Sequence, residues 1–284
     1  MKKQLLSLAL GAVLAFGAYA NEEAAQLWTK RGETTANALT AANMARDLAA
    51  TEQNAVVKAD LKTREAEYIY FVGVREGSNE SKMKAHVRGQ DAAQAAVKLL
   101  AKDNSGKQPT SAEVAVNLAR AHYFFAINLG KWGEANGVLA SLGRWPELRE
   151  RLDIIDSLDA TVEDFGATRT RARALHKLPG FVGGDKDKSE QLLAEISEKT
   201  LADGYAISRN STTVFFYLDI LAENKNTSVF CAVFAEFKKL SEASDEDLAA
   251  YNVVRVPESI TDLDNFVNYR DFESKVEKFA KRCN

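Results

Sequence analysis

Residues 117–139, NLARAHYFFAINLGKWGEANGVL, decide the fold class. Apolar side chains recur there at the spacing of a helix, with Leu118, Phe125 and Leu129 on one face. Gly130 interrupts this pattern, and smaller side chains follow it. The stretch therefore predicts a helix hairpin that turns at Gly130 and packs a bulky helix against a small-residue helix.

The same apolar spacing extends over most of the chain, whereas the alternating pattern of β-strands is almost absent. Gly77, Gly130 and Gly183 each follow a predicted helix, at equal intervals of 53 residues. A further hairpin is predicted to turn near residues 224–226, and all four prolines are predicted at helix edges. We expect an all-α protein, either an α-solenoid of antiparallel helix hairpins or a non-repetitive helical bundle.

The first 20 residues have the pattern of an export signal. Lys2 and Lys3 precede an apolar stretch that ends in small residues at Ala18 and Ala20, a pattern typical of a cleaved secretory signal. An uncleaved membrane anchor is the competing interpretation, although the stretch is short for a membrane span. We expect a periplasmic or secreted protein whose mature chain has no membrane span. The predicted parts are the signal at 1–20 and one helical-repeat domain at 21–284, with a repeat core at 65–240 and a C-terminal helical cap at 241–284.

The charge of the chain indicates which partners to expect, and its two cysteines indicate a disulfide. The chain has 37 basic and 40 acidic side chains, and removal of Lys2 and Lys3 moves the net charge from -3 to -5. Such a surface repels phosphate backbones, so nucleic acid is not an expected partner.

Cys231 and Cys283 are the only cysteines. In an exported chain they are expected to form a disulfide, the alternative being two unpaired thiols.

Two stretches resemble known families. Residues 117–139 resemble a degenerate tetratricopeptide repeat, and residues 65–240 resemble the periplasmic T component of tetratricopeptide-associated TRAP transporters. The second resemblance is carried by residues 165–196, FGATRTRARALHKLPGFVGGDKDKSEQLLAEI, with a Gly-x-x-Arg helix, a Pro-Gly turn and a GGD entry to the next helix. It implies helix hairpins wound around a central channel, association with an extracytoplasmic solute-binding protein, and binding of small hydrophobic or carboxylated ligands.

Candidate ligand-binding residues lie within that stretch. Arg169, Arg173 and His176 are spaced i, i+4 and i+7, so they share one helix face, and Arg169 matches the Gly-x-x-Arg motif. The guanidinium fork suits a carboxylate ligand. The alternative for these cations is internal ion pairing with Glu163, Asp164 or the neighbouring hairpin.

His122 and His176 each lie eight residues before a glycine, Gly130 and Gly184 respectively. We expect them at equivalent positions of successive hairpins, lining one surface. No metal site is expected, because the further ligands that a metal needs do not accompany either histidine at a suitable spacing. In the loop after Gly184, a helix N-cap by Asp185 or Asp187 explains the acidic residues better than a calcium site.

These features predict an exported, non-enzymatic helical protein without a cofactor. We expect it to bind an envelope protein, such as an extracytoplasmic solute-binding protein, or a small hydrophobic acid, as an accessory to a TRAP-type transport system. One alternative is a cell-envelope enzyme with a helical fold, such as a lysozyme-like hydrolase that uses a single Glu and leaves no motif. The other is a purely structural scaffold, in which internal salt bridges fill the face that carries Arg169 and His176.

Overall fold

The computed structural model describes residues 21–103, 105–201, 206–241 and 280–283. Within them the regular structure is helical, with two isolated bridges, Ala101 to Pro109 and Leu201 to Ser208, and no strand. The all-α prediction is confirmed. The helices are α1 at 21–29, α2 Thr35–Thr51, α3 Ala55–Arg75, α4 Asn79–Leu100, α5 Ala115–Asn136, α6 Val138–Asp159, α7 Val162–Lys177, α8 Lys186–Lys199, α9 Ser211–Glu223 and α10 Thr227–Ser241.

Polar side chains begin many of these helices. Each accepts a hydrogen bond from a backbone N–H of the first turn, which otherwise has no partner within the helix. Asp185 accepts from the N–H of Lys188 at 2.8 Å, so the predicted cap of α8 is confirmed. The other caps of this kind are Thr34, Asn54, Ser78 and Asn210.

The chain forms two compact units, Met1–Val162 and Glu163–Asn284. We call them unit 1 and unit 2. In unit 1 each helix from α2 to α6 packs against the next, and α3 also contacts α5. The single domain expected over 21–284 stays a prediction, because compact units can belong to one domain. The predicted signal at 1–20 and most of the predicted cap at 241–284 lie outside the described residues.

A buried polar cluster fixes the positions of α3, α4 and α5 relative to one another. His86 of α4 contacts the Oδ1 of Asn128 on α5 at 3.0 Å, and Asn128 donates to the carbonyl of Ala66 on α3 at 3.1 Å. Two glycines allow this close approach. A Cβ at Gly73 would lie 2.6 Å from the His86 ring, and a Cβ at Gly89 would lie 2.4 Å from Asn128. The polar cluster therefore sets the register of the three helices.

The turn predicted at Gly130 is wrong. α5 continues through Gly130 to Asn136, and the break falls at Gly137, whose φ is 99°. A glycine inside a helix costs only about 1 kcal/mol, which burial of residues such as Phe125 and Leu129 outweighs. The equal spacing of Gly77, Gly130 and Gly183 therefore does not mark three equivalent turns.

The prediction that every proline lies at a helix edge is also wrong, because Pro146 lies inside α6. Proline has no N–H to donate to the carbonyl four residues earlier. Later in the same helix, Leu152 and Ile155 are fully buried. Their burial stabilises the continuous helix against the lost hydrogen bond.

In unit 2, α9 packs against both α8 and α10. The predicted turn near residues 224–226 is confirmed, since it separates Glu223 from Thr227 and contains Lys225 at φ 60°. Cys231 and Cys283 are bonded, with their Cα atoms 5.6 Å apart, as predicted. No helix in the described part of the chain is both long and apolar enough to cross a membrane.

Candidate functional site

Arg169 is buried in unit 2 and contacts backbone carbonyls there. Its side chain donates to the carbonyl oxygens of Asp164 at 2.9 Å and Glu163 at 3.0 Å, and the residue is only 5% exposed. Glu163, Asp164 and Phe165 all have left-handed backbone angles, with φ between 52° and 59°. Such angles are unfavourable for residues with a side chain. The two hydrogen bonds from Arg169 stabilise this turn at the start of α7.

Arg173 has internal partners on the neighbouring helix. It donates to the Oδ2 of Asp219 on α9 at 2.5 Å, and its guanidinium lies over the ring of Phe216, 4.6 Å from the centroid. Lys177 donates to the same Asp219 oxygen at 3.2 Å. Arg173, unlike Arg169, is therefore paired with α9.

His176 completes this pairing. Its Nε2 lies 2.5 Å from the Oε2 of Glu223, and Lys186 contacts the other oxygen of that carboxylate. Burial lowers the pKa of His176, so the neutral ring donates from Nε2 to Glu223. Hydrogen bonds from Lys186 and His176 lower the pKa of Glu223 to about 2. The geometry on this face favours the internal ion-pair alternative.

His122 is buried in unit 1 and is 0% exposed. Its Nε2 lies 2.8 Å from the carbonyl oxygen of Gly106, and its Nδ1 lies 3.0 Å from an Nη1 of Arg151. Because a carbonyl only accepts and a guanidinium only donates, the ring carries its proton on Nε2. Burial lowers the pKa of His122 to about 4, so the ring is neutral at pH 7. His122 fixes the loop between α4 and α5.

His122 belongs to unit 1, whereas Arg169, Arg173 and His176 belong to unit 2. All four side chains contact groups of the protein itself. Their role as ligand contacts stays a prediction. Among the described residues, no group of three or more His, Cys, Asp or Glu side chains is arranged to hold a metal ion.

A different set of residues lines an open groove of about 340 Å³ in unit 1. We call it the α3–α4 groove. The α4 residues that line it are spaced i, i+3, i+4, i+7, i+8 and i+11, so they form a single stripe along the helix. The lining residues are Lys62 and Glu65 of α3, and Lys84, Val87, Arg88, Asp91, Ala92 and Ala95 of α4.

Glu65 is the buried carboxylate of this groove, only 3% exposed. Its Oε2 accepts from Lys62 at 3.0 Å, and its Oε1 accepts from the Nε of Arg88 at 3.0 Å. Both oxygens are thus bound by cations. With Lys84 and Asp91 included, three cations face two carboxylates, which leaves one positive charge in the groove.

Arg88 has hydrogen-bonding capacity left over. Its Nη2 is buried and has no hydrogen-bond partner among the described residues. A buried donor without a partner costs about 1–3 kcal/mol, and more when the group is charged. A ligand oxygen would satisfy this donor after a small movement of the side chain. The groove is therefore suited to an anionic group at its Arg88 end.

The α3–α4 groove was not predicted from the sequence, although part of its pattern is visible there. Lys84, Arg88 and Asp91 follow the same i, i+4, i+7 spacing that singled out Arg169. The contribution of α3 is not visible, because it depends on the register between two helices. Comparison of the chain with known proteins found neither a matching family model nor a matching curated protein.

Proposed function

We propose that this protein is an exported, non-enzymatic binding protein, and that its α3–α4 groove holds a small ligand with a carboxylate group. The observation that carries the proposal is the buried Nη2 of Arg88, which has no hydrogen-bond partner among the described residues. Arginine presents several N–H donors in a rigid fork that matches a carboxylate. After a small movement of the guanidinium, a ligand carboxylate would accept from the buried Nη2.

The size and lining of the groove support a small amphipathic ligand. A volume of about 340 Å³ lies near the lower end of the range for small-molecule sites. Val87, Ala92 and Ala95 add apolar surface beside the charged residues. Lys84, with its side chain 76% exposed, lies on the same stripe and can swing from Glu80 to a ligand carboxylate.

The resemblance to TRAP-associated tetratricopeptide proteins gives this binding a biological setting. In that setting the signal at residues 1–20 directs the chain to the periplasm, where an extracytoplasmic solute-binding protein exchanges small acids with it. The helices form a tetratricopeptide-like solenoid around a channel. Consecutive packing of α2 to α6 and the Cys231 to Cys283 disulfide support this proposal.

Calorimetric titration of the mature protein, residues 21–284, with hexanoate tests the proposed function. Hexanamide has the same shape without the charge and serves as the ligand control. We expect saturable binding of hexanoate and weaker or undetectable binding of hexanamide. Equal binding of the two ligands, or no binding of either, would overturn the proposal.

Variants locate the site. Lys84→Met removes an exposed charge, so it should fold normally and weaken hexanoate binding by about threefold or more. Arg88→Gln should abolish binding. Lys98→Met is the matched control, because it removes an exposed lysine from the same helix outside the groove, and its affinity should equal that of the wild type. Unchanged affinity in both groove variants would place the ligand elsewhere.

A further inference from the structure

The charges of the α3–α4 groove follow a definite order along α4. Lys84 and Arg88 come first, and Asp91 follows one turn later. An α-helix rises about 1.5 Å per residue, so Asp91 lies about 4.5 Å beyond Arg88 and about 10 Å beyond Lys84 along the helix axis. The groove therefore presents a cationic end and an anionic end at a defined separation.

Both ends have groups available to a ligand. Asp91 is exposed, and its carboxylate makes no ion pair within the part of the chain that the structure describes. At the other end, Lys84 pairs only with the exposed Glu80, and the Nη2 of Arg88 has no partner among the described residues. Glu65 is different, because both of its oxygens are already occupied. Asp91 is thus the carboxylate that a ligand cation would meet.

We propose that the groove binds a short peptide of two or three residues in its zwitterionic form. The N-terminal ammonium contacts Asp91, and the C-terminal carboxylate contacts Arg88 and Lys84. An extended chain spans about 3.3–3.6 Å per residue, so the charged ends of such a peptide are about 7–10 Å apart, within the span of the groove charges. This inference rests on the proposed function and names its ligand class.

Other ligand classes match the charge order less well. The two charges of a single α-amino acid are only one residue apart, so they reach Asp91 and Arg88 but not Lys84. A fatty acid bound at Arg88 contacts the cationic end of the groove alone and leaves the exposed Asp91 without a ligand cation. A plain inorganic anion would gain nothing from Asp91. The free ammonium of a peptide is what distinguishes the proposed ligand from these.

Titration of the mature protein with trialanine, N-acetyl-trialanine and trialaninamide tests the ligand class. We expect trialanine to bind about threefold to tenfold more tightly than either blocked peptide, since each lacks one charged contact. Asp91→Asn should lower the affinity for trialanine to that for N-acetyl-trialanine and leave the latter unchanged. Glu134→Gln, which removes an exposed carboxylate outside the groove, is the control and should change neither affinity.

The outcomes separate the two proposals. If N-acetyl-trialanine binds as tightly as trialanine, and Asp91→Asn has no effect, the peptide inference is wrong and the carboxylate site stands. If neither the peptides nor hexanoate bind, both proposals are wrong. If Asp91→Asn and Lys84→Met each lower the affinity for trialanine, both proposals are supported.

Discussion

Arg88 of α4 donates its Nε hydrogen to the Oε1 of Glu65 on α3 across 3.0 Å, and this bond joins the two helices that line the groove. Lys62 binds the other oxygen of Glu65 at 3.0 Å. A ligand carboxylate that approaches these cations therefore competes with an internal carboxylate. Glu65 thus connects α3 and α4, and we expect it to limit the affinity of the groove for anions.

Glu65→Gln should tighten hexanoate binding by about threefold or more, because Lys62 and Arg88 lose the competing negative charge. The same change should lower the free energy of unfolding by about 1–3 kcal/mol, since glutamine has a single acceptor oxygen and its NH2 group cannot accept a hydrogen bond from the second cation. Calorimetric titration and urea unfolding measure the two effects.

Glu67→Gln is the control for this variant. Glu67 is buried on the same helix and pairs with Arg120 at 3.3 Å, outside the groove. We expect a similar loss of stability and no change in hexanoate affinity. If Glu67→Gln also tightened binding, the effect would come from net charge rather than from competition at the site.

His122 should make folding sensitive to acid. Its pKa is lowered to about 4 in the folded state by burial, against 6.5 unfolded, so between these values the unfolded state binds more protons. The contribution of His122 to the free energy of unfolding is therefore complete above about pH 6.5. As the pH drops towards 4, protonation of His122 in the unfolded state lowers the free energy of unfolding by about 3 kcal/mol. Urea unfolding at several pH values measures the fall.

His122→Gln separates this residue from the other titrating groups. Glutamine does not take up a proton in this range, so the variant should lose stability less steeply than the wild type between pH 6.5 and 4. Identical slopes would show that His122 is already protonated, or already solvated, in the folded protein.

Substitution of Gly130 inside α5 and of Gly137 directly after it should change the free energy of unfolding in opposite directions. Gly130→Ala lies inside the helix with no atom within 4 Å of the added Cβ, so it should raise the free energy of unfolding by about 0.5–1 kcal/mol. Gly137→Ala places a side chain at φ 99° and should lower it by about 1–3 kcal/mol. Chemical unfolding of both variants decides where the chain turns. If Gly130→Ala lowered the free energy of unfolding and Gly137→Ala raised it, the chain would turn at Gly130 and not at Gly137.

The Cys231 to Cys283 disulfide should stabilise unit 2. The bond spans 52 residues of sequence, and on the chain-entropy model its loss costs about 4 kcal/mol. The double variant Cys231→Ala/Cys283→Ala should therefore unfold at lower urea concentration than the wild type. Dithiothreitol should shift the wild type to the same midpoint and leave the variant unmoved. A wild-type midpoint that ignores the reductant would contradict the predicted stabilisation.

The local features of this fold follow from sequence patterns, and the features that depend on distant residues do not. The helical class, the Asp185 cap and the turn near Lys225 are local patterns, and each is confirmed. The turn at Gly130 is wrong because the packing of α5 outweighs the modest helix penalty of glycine.

The same distinction explains the candidate site. Spacing along one helix predicted a shared face for Arg169, Arg173 and His176, but the partners of Arg173 and His176 depend on which carboxylates the fold brings near them. Asp219, on another helix, supplies one of those partners. The α3–α4 groove was missed for a related reason, since the pairing of Glu65 with Arg88 depends on the register between two antiparallel helices. That register is set by tertiary contacts, which no single helical pattern encodes.

The proposed contact between Arg88 and a ligand carboxylate in the α3–α4 groove can be observed through the side-chain NMR signal of Arg88. In protein labelled with ¹⁵N on arginine, the Nε–H signal of Arg88 is assigned by its loss in Arg88→Lys. We predict that this signal shifts saturably on titration with hexanoate and stays in place with hexanamide. An Arg88 signal that does not move at saturating hexanoate, or that moves equally with hexanamide, would show that Arg88 does not contact the ligand carboxylate.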